Sequence, residues 1–143
     1  MLILEDVKDL RLIFKDILAA SGPEVFTAVN GVEELRFLNK EYEKGEKEET
    51  KEIDLVITDL AMPEMGGYGF MEAVRNHGNS LIKKIPILLF THLQNHEEVI
   101  ESMRRDFGVY YLNKLVTHKK GFIDDFPTEI AGIIQSLEET SKP

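Results

Sequence analysis

Apolar residues recur along this chain in two alternating rhythms. Short apolar runs occupy Met1 to Leu4, Val25 to Val29, Leu55 to Ile57, Ile85 to Phe90 and Val109 to Leu112. An unbroken, β-branched run such as Leu55 to Ile57 is what a strand buried on both faces of a parallel sheet requires. The segments between them carry helical spacing instead. Val7, Leu10, Ile13, Phe14, Ile17 and Leu18 share one stripe, which Ser21-Gly22-Pro23 ends. Asn30-Gly31 turns into a second helix with Val32, Leu35, Leu38 and Tyr42 inward, and Gly66-Gly67 leads into a third, Tyr68 to Asn76, with Phe70, Met71 and Val74 inward and Gly78 as its stop. Asn95-x-x-Glu98 has the spacing of a helix start and is followed by Val99, Ile100, Met103 and Phe107; Pro127 opens the last helix, burying Ile130, Ile133, Ile134 and Leu137. Five strands alternating with five helices predict an α/β fold, a doubly wound parallel sheet with helices on both faces, because parallel neighbours need right-handed crossovers.

The residues just past the strands turn this scaffold into a site. Strand one is followed by Glu5 and Asp6, strand three by Asp59; strand four closes on the Thr91 hydroxyl and strand five on the Lys114 amine. Ligands of open α/β sheets sit beyond the carboxyl ends of the strands, so all of these open onto one edge. Gathered carboxylates repel, and a hard cation relieves the repulsion; Mg²⁺, content with a few carboxylate oxygens and waters, suits the set. Cation, amine and hydroxyl around one carboxylate make a phosphoryl-transfer site in which Asp59 is the nucleophile.

Glu5-Asp6, Asp59 followed by Met62-Pro63-x-Met65-x-Gly67, Thr91, and Tyr111-x-x-Lys114 together resemble the receiver domain of two-component response regulators, over nearly the whole chain. The resemblance implies a flavodoxin-like, five-stranded sheet in the order 2-1-3-4-5. It implies phosphorylation of Asp59 by a histidine kinase or histidine phosphotransfer protein, with Mg²⁺ on Asp6, Asp59 and the Ala61 backbone carbonyl and Glu5 reaching the ion through water. It also implies a switch in which Thr91 is drawn to the phosphoryl group and Tyr111 turns inward behind it, remodelling the face of helix four, strand five and helix five for a downstream protein. Ala61 and Leu93 lie where family members tune attack by water on the phosphoryl group; neither can orient a water, so a long-lived aspartyl phosphate is expected. The chain departs from the pattern at Leu115, where the family has Pro, and at His92, where a small residue is common. The segment before strand three and the lead-in to the last helix are longer than usual.

Composition narrows the partners. Residues 1–143 read as a single receiver domain with no output domain, so the readout passes to another protein; the resemblance also admits a homodimer. A net charge of −9 argues against direct binding to nucleic acid, which lives on released counterions. Part of that acidity lies in the mixed-charge tract Glu41 to Glu52, the pattern of a solvated helix end and loop. There is no cysteine, no apolar run of membrane-spanning length and no secretory leader, so a cytoplasmic protein without membrane contact is expected. A dehalogenase-type phosphatase would need a second Asp where Ala61 stands, and a flavin carrier would need a hydroxyl- and Gly-rich loop where Glu5-Asp6-Val7-Lys8-Asp9 stands. A signalling switch rather than a turnover enzyme is therefore expected; the alternative is a receiver-shaped interaction module that works without phosphorylation.

Overall fold

The computed structural model describes residues 1–20, 22, 24–42, 53–59, 67–91, 97–113, 130–132 and 135. Their order is β1 (Leu2–Leu4), α1 (Lys8–Ala19), β2 (Phe26–Ala28), α2 (Gly31–Tyr42), β3 (Val56–Thr58), α3 (Gly67–Arg75), α4 (Ser80–Lys83), β4 (Ile87–Thr91), α5 (Glu97–Phe107) and β5 (Tyr110–Asn113). The strands form one five-stranded sheet in the order β2-β1-β3-β4-β5, every pair parallel. This is the doubly wound sheet that the alternation of rhythms predicts. None of the described helices is long and apolar enough to cross a membrane.

The register explains why the strands read as unbroken apolar runs. Successive residues of β4 point to opposite faces, and both faces are covered. Ile87 and Leu89 join Leu2, Val56, Phe70, Met71, Val74, Ile100 and Met103 under α2, α3 and α5, whereas Leu88 and Phe90 join Ile3, Ile57, Phe14 and Leu18 under α1. Ile130, in the helical residues 130–132, is buried in this second layer. The expected inward positions Ile133, Ile134 and Leu137 lie outside the described residues, as does Asn95.

Three local expectations need correction. The stripe on α1 is narrower than its spacing suggests: Phe14 and Leu18 are buried, but Ile13 is 46% exposed, and Val7 stands at the N-cap. Val99 of α5 is likewise 44% exposed. A helix lying flat on a sheet buries only the residues nearest its line of contact, and apolar residues at the edge of that stripe stay in water. Between α3 and β4 there is an unforeseen turn of helix, α4, started by Asn79, whose side chain accepts from the Leu81 N–H at 2.8 Å. The fourth helix of the sequence reading is therefore α5.

Arg75 at the end of α3 binds this region together. Its Nε donates to the Phe107 carbonyl at 2.8 Å, and its Nη1 donates to the carbonyls of Lys83 and Ile85 at 2.9 and 2.7 Å. One guanidinium thus satisfies the last residue of α5, the end of α4 and the approach to β4.

Candidate phosphoacceptor site

The sheet order creates a switch point between β1 and β3, where the chain winds outward in opposite directions and helices leave a crevice beyond the strand ends. Glu5 and Asp6 leave β1 at this point, and Asp59 leaves β3 beside them. The N-cap position of α1 is held by Val7, without a side-chain cap bond, so neither acid occupies it. Glu5 is buried and its Oε1 accepts from the Val7 N–H at 3.4 Å, while Arg11 Nη1 donates to its carbonyl at 3.0 Å; Asp6 is exposed at the rim.

The β3–β4 register sets Thr58 opposite Leu89, which places the ends of the two strands together. There the Thr91 Oγ1 donates to Asp59 Oδ1 at 2.7 Å, with the two residues only 4% and 8% exposed. The acid and hydroxyl, 32 positions apart, are thus brought into a buried, charge-assisted hydrogen bond. Lys114, Ala61 and Leu93 lie outside the described residues, as do His92 and Leu115.

Tyr111 lies on the α5 side of β5, packed against the larger core layer, with its hydroxyl oxygen buried and without a partner among the described residues. Desolvation, helped by the negative Glu97, raises its pKa from the usual 10.0. A phenol in that state stays a neutral donor with nothing to donate to.

The carboxylates of Glu5, Asp6 and Asp59 are hard oxygen donors from two adjacent strand ends, and in donor chemistry they fit Mg²⁺. Among the described residues no three acidic or histidine side chains converge tightly enough to form a cage. A cation that keeps several waters does not require one. A cavity of about 450 Å³ lies elsewhere, at the amino-terminal edge of β3 and β4, lined by Tyr42, Ile53, Asp54, Leu81, Lys84, Ile85 and Pro86. None of the strand-end residues lines it.

Two polar residues beneath the site escaped the sequence reading. Glu34 of α2 is completely buried, and so is the hydroxyl of Thr58, the last residue of β3; neither has a hydrogen-bond partner among the described residues. Burial drives the Glu34 pKa well above the usual 4.5, and the neighbouring Thr58 hydroxyl offsets this in part without closing a hydrogen bond. The helical spacing around Leu35 and Leu38 already placed position 34 near the inner face, but a glutamate there reads as solvated.

A parallel 2-1-3-4-5 sheet, with an acid at the switch point and a hydroxyl from the next strand bonded to it, defines a class of signalling domain. The response regulator receiver domain family model matches residues 1–120, and the chain belongs to that family, whose members act as switches in two-component signalling. The chemotaxis protein CheY1 of Helicobacter pylori is 32% identical over 111 residues, covering 77% of this chain and 81% of that protein. A probable transcriptional regulator, ycf27, of Cyanidium caldarium is 33% identical over 95 residues, 66% of this chain; the chain spans only 32% of that longer protein. The chemotaxis response regulator CheY4 of Vibrio cholerae superposes with a TM-score of 0.62 at 30% identity, covering 79% of this chain and 83% of that one.

Proposed function

We propose that this receiver is phosphorylated on Asp59 and signals by presenting an altered face to a partner protein. The observation that carries the reading is the buried Thr91–Asp59 hydrogen bond. A hydroxyl already 2.7 Å from one carboxylate oxygen is within reach of an oxygen on a phosphorus attached to that carboxylate.

The donor is the phosphohistidine of a histidine kinase or phosphotransfer protein, acting in the cytoplasm. An Asp59 oxygen attacks phosphorus, the P–N bond breaks, and the imidazole leaves with the electron pair and takes up a proton. The product is an acyl phosphate on Asp59. Asp6, Asp59 and the Ala61 carbonyl would hold Mg²⁺, with Glu5 assisting, and the ion would supply charge neutralisation on the phosphoryl oxygens. Lys114 pairs with a second oxygen and Thr91 with a third.

Phosphorylation then gives Thr91 a stronger acceptor than the bare carboxylate, and only such a difference in contact can move a conformational equilibrium. Tyr111, whose hydroxyl lacks a partner, follows Thr91 and reshapes the face built from α5, β5 and the helical residues around Ile130. Residues 1–143 act as one receiver unit, and the altered face is what a partner reads.

The test is intact mass after incubation with a small phosphodonor and Mg²⁺. The wild-type chain gains one phosphoryl group and Asp59→Asn gains none. A wild-type chain that gains nothing rejects the reading in favour of an interaction module that works unphosphorylated.

A further inference from the structure

Asp59 is held from one side by Thr91, and the residue before it in the chain carries a second polar contact that nothing above employs. Along β3 successive side chains alternate between faces, so Thr58 points into the layer beneath α2 and α3, where Val56 also lies. There its hydroxyl meets the Glu34 carboxyl. Both Glu34 oxygens and the Thr58 oxygen are out of water and without hydrogen-bond partners. Leu2, Leu38, Phe70 and Met71 of this layer are buried and apolar. A leucine at position 34 and a valine at position 58 would fill the same space without desolvating three oxygens. Unsatisfied buried groups of this kind call for a cause other than stability.

We propose that Glu34 is a positioning residue for the phosphoacceptor, a buried side chain that ties α2 to Thr58 and so fixes the end of β3 on which Asp59 is carried. The inference rests on Asp59 being the phosphoacceptor. Two features support the tie. The groups belong to separate elements, α2 and β3, and each keeps its hydrogen-bonding capacity unused among the described residues. Neutrality matters as well: a hydroxyl and a protonated acid can bond in either direction, and no negative charge is added beneath a carboxylate that must receive a phosphoryl group. Clamped by Thr91 at its side chain and by the Thr58–Glu34 tie through its backbone, Asp59 keeps one orientation toward an incoming phosphorus.

The experiment is a double-mutant cycle on the full chain. Phosphorylation of Asp59 by a small phosphodonor with Mg²⁺ is timed by intact mass, and urea midpoints are measured on the same samples. Thr58→Val and Glu34→Leu are each expected to slow phosphorylation about tenfold while keeping or raising the midpoint, because misplacement of the reacting group, not unfolding, is the cause. The double variant is expected to be no slower than either single one, since both remove the same tie. Glu34→Gln, neutral and of the same shape, is expected to stay within about twofold of wild type. If Glu34→Leu fails to fold, Thr58→Val with Glu34→Gln decides. A wild type that is phosphorylated, with Thr58→Val reacting at the same rate, overturns this inference alone. A wild type that takes up no phosphoryl group overturns the proposed function and this inference together.

Discussion

Replacing Glu34 by leucine should stabilise the protein, and more so as pH rises. The wild-type carboxyl is 0% exposed and both of its oxygens lack partners. Each unsatisfied buried polar group costs about 1–3 kcal/mol, so even the protonated side chain weakens the fold by an amount of that order relative to an apolar side chain of similar volume. The ionised form costs more. Because burial raises the folded-state pKa well above the 4.5 of an exposed glutamate, the folded chain keeps a proton that the unfolded chain has released. The ionisation penalty is thus absent below about pH 4.5, and the stability held by the protonated form relative to the ionised one is lost as pH climbs toward and through the folded pKa. In that window one proton gives a slope of about 1.4 kcal/mol per pH unit. Urea unfolding of wild type and Glu34→Leu from about pH 5 to about pH 8 isolates the effect, because every other titrating group is shared. The midpoints should diverge, with wild type falling away at the alkaline end. Parallel curves, or a variant less stable than wild type throughout, would refute the assignment of Glu34 as a buried neutral acid.

Other expectations follow from single contacts. Arg75→Met should lower stability by about 2 kcal/mol through loss of its bonds to the carbonyls of Phe107, Lys83 and Ile85, read as a lower melting temperature without a change in the phosphorylation site. Tyr111→Phe removes a hydroxyl that is buried and unpaired, so it should leave stability equal or raise it by up to about 1 kcal/mol; a clear loss would reveal a hydrogen bond that the structure lacks. Once Asp59 is phosphorylated, Ala61→Asn or Leu93→Glu should shorten the phosphoryl lifetime by giving water something to lean on, and a fast wild-type decay unaltered by either change sinks the expectation of a long-lived product.

Sequence alone determined the sheet. Period-two alternation within strands coated on both sides produces unbroken runs such as Ile87-Leu88-Leu89-Phe90, and the helices between them force parallel pairing with crossovers. Turn chemistry was equally legible where a side chain makes the turn, as at Asn30, whose Oδ1 accepts the Glu33 N–H at 2.8 Å. The candidates at the strand ends could be named because a carboxyl-terminal strand position is set by local pattern. Their meeting could not: the bond between Thr91 and Asp59 depends on β3 and β4 being neighbours in a particular register, a matter of how distant segments pack. Glu34 makes the same point from the other direction. A glutamate on a helix belongs in water by every local rule, and only the docking of α2 across the sheet, which closes over it beside Thr58, decides that this one is dry.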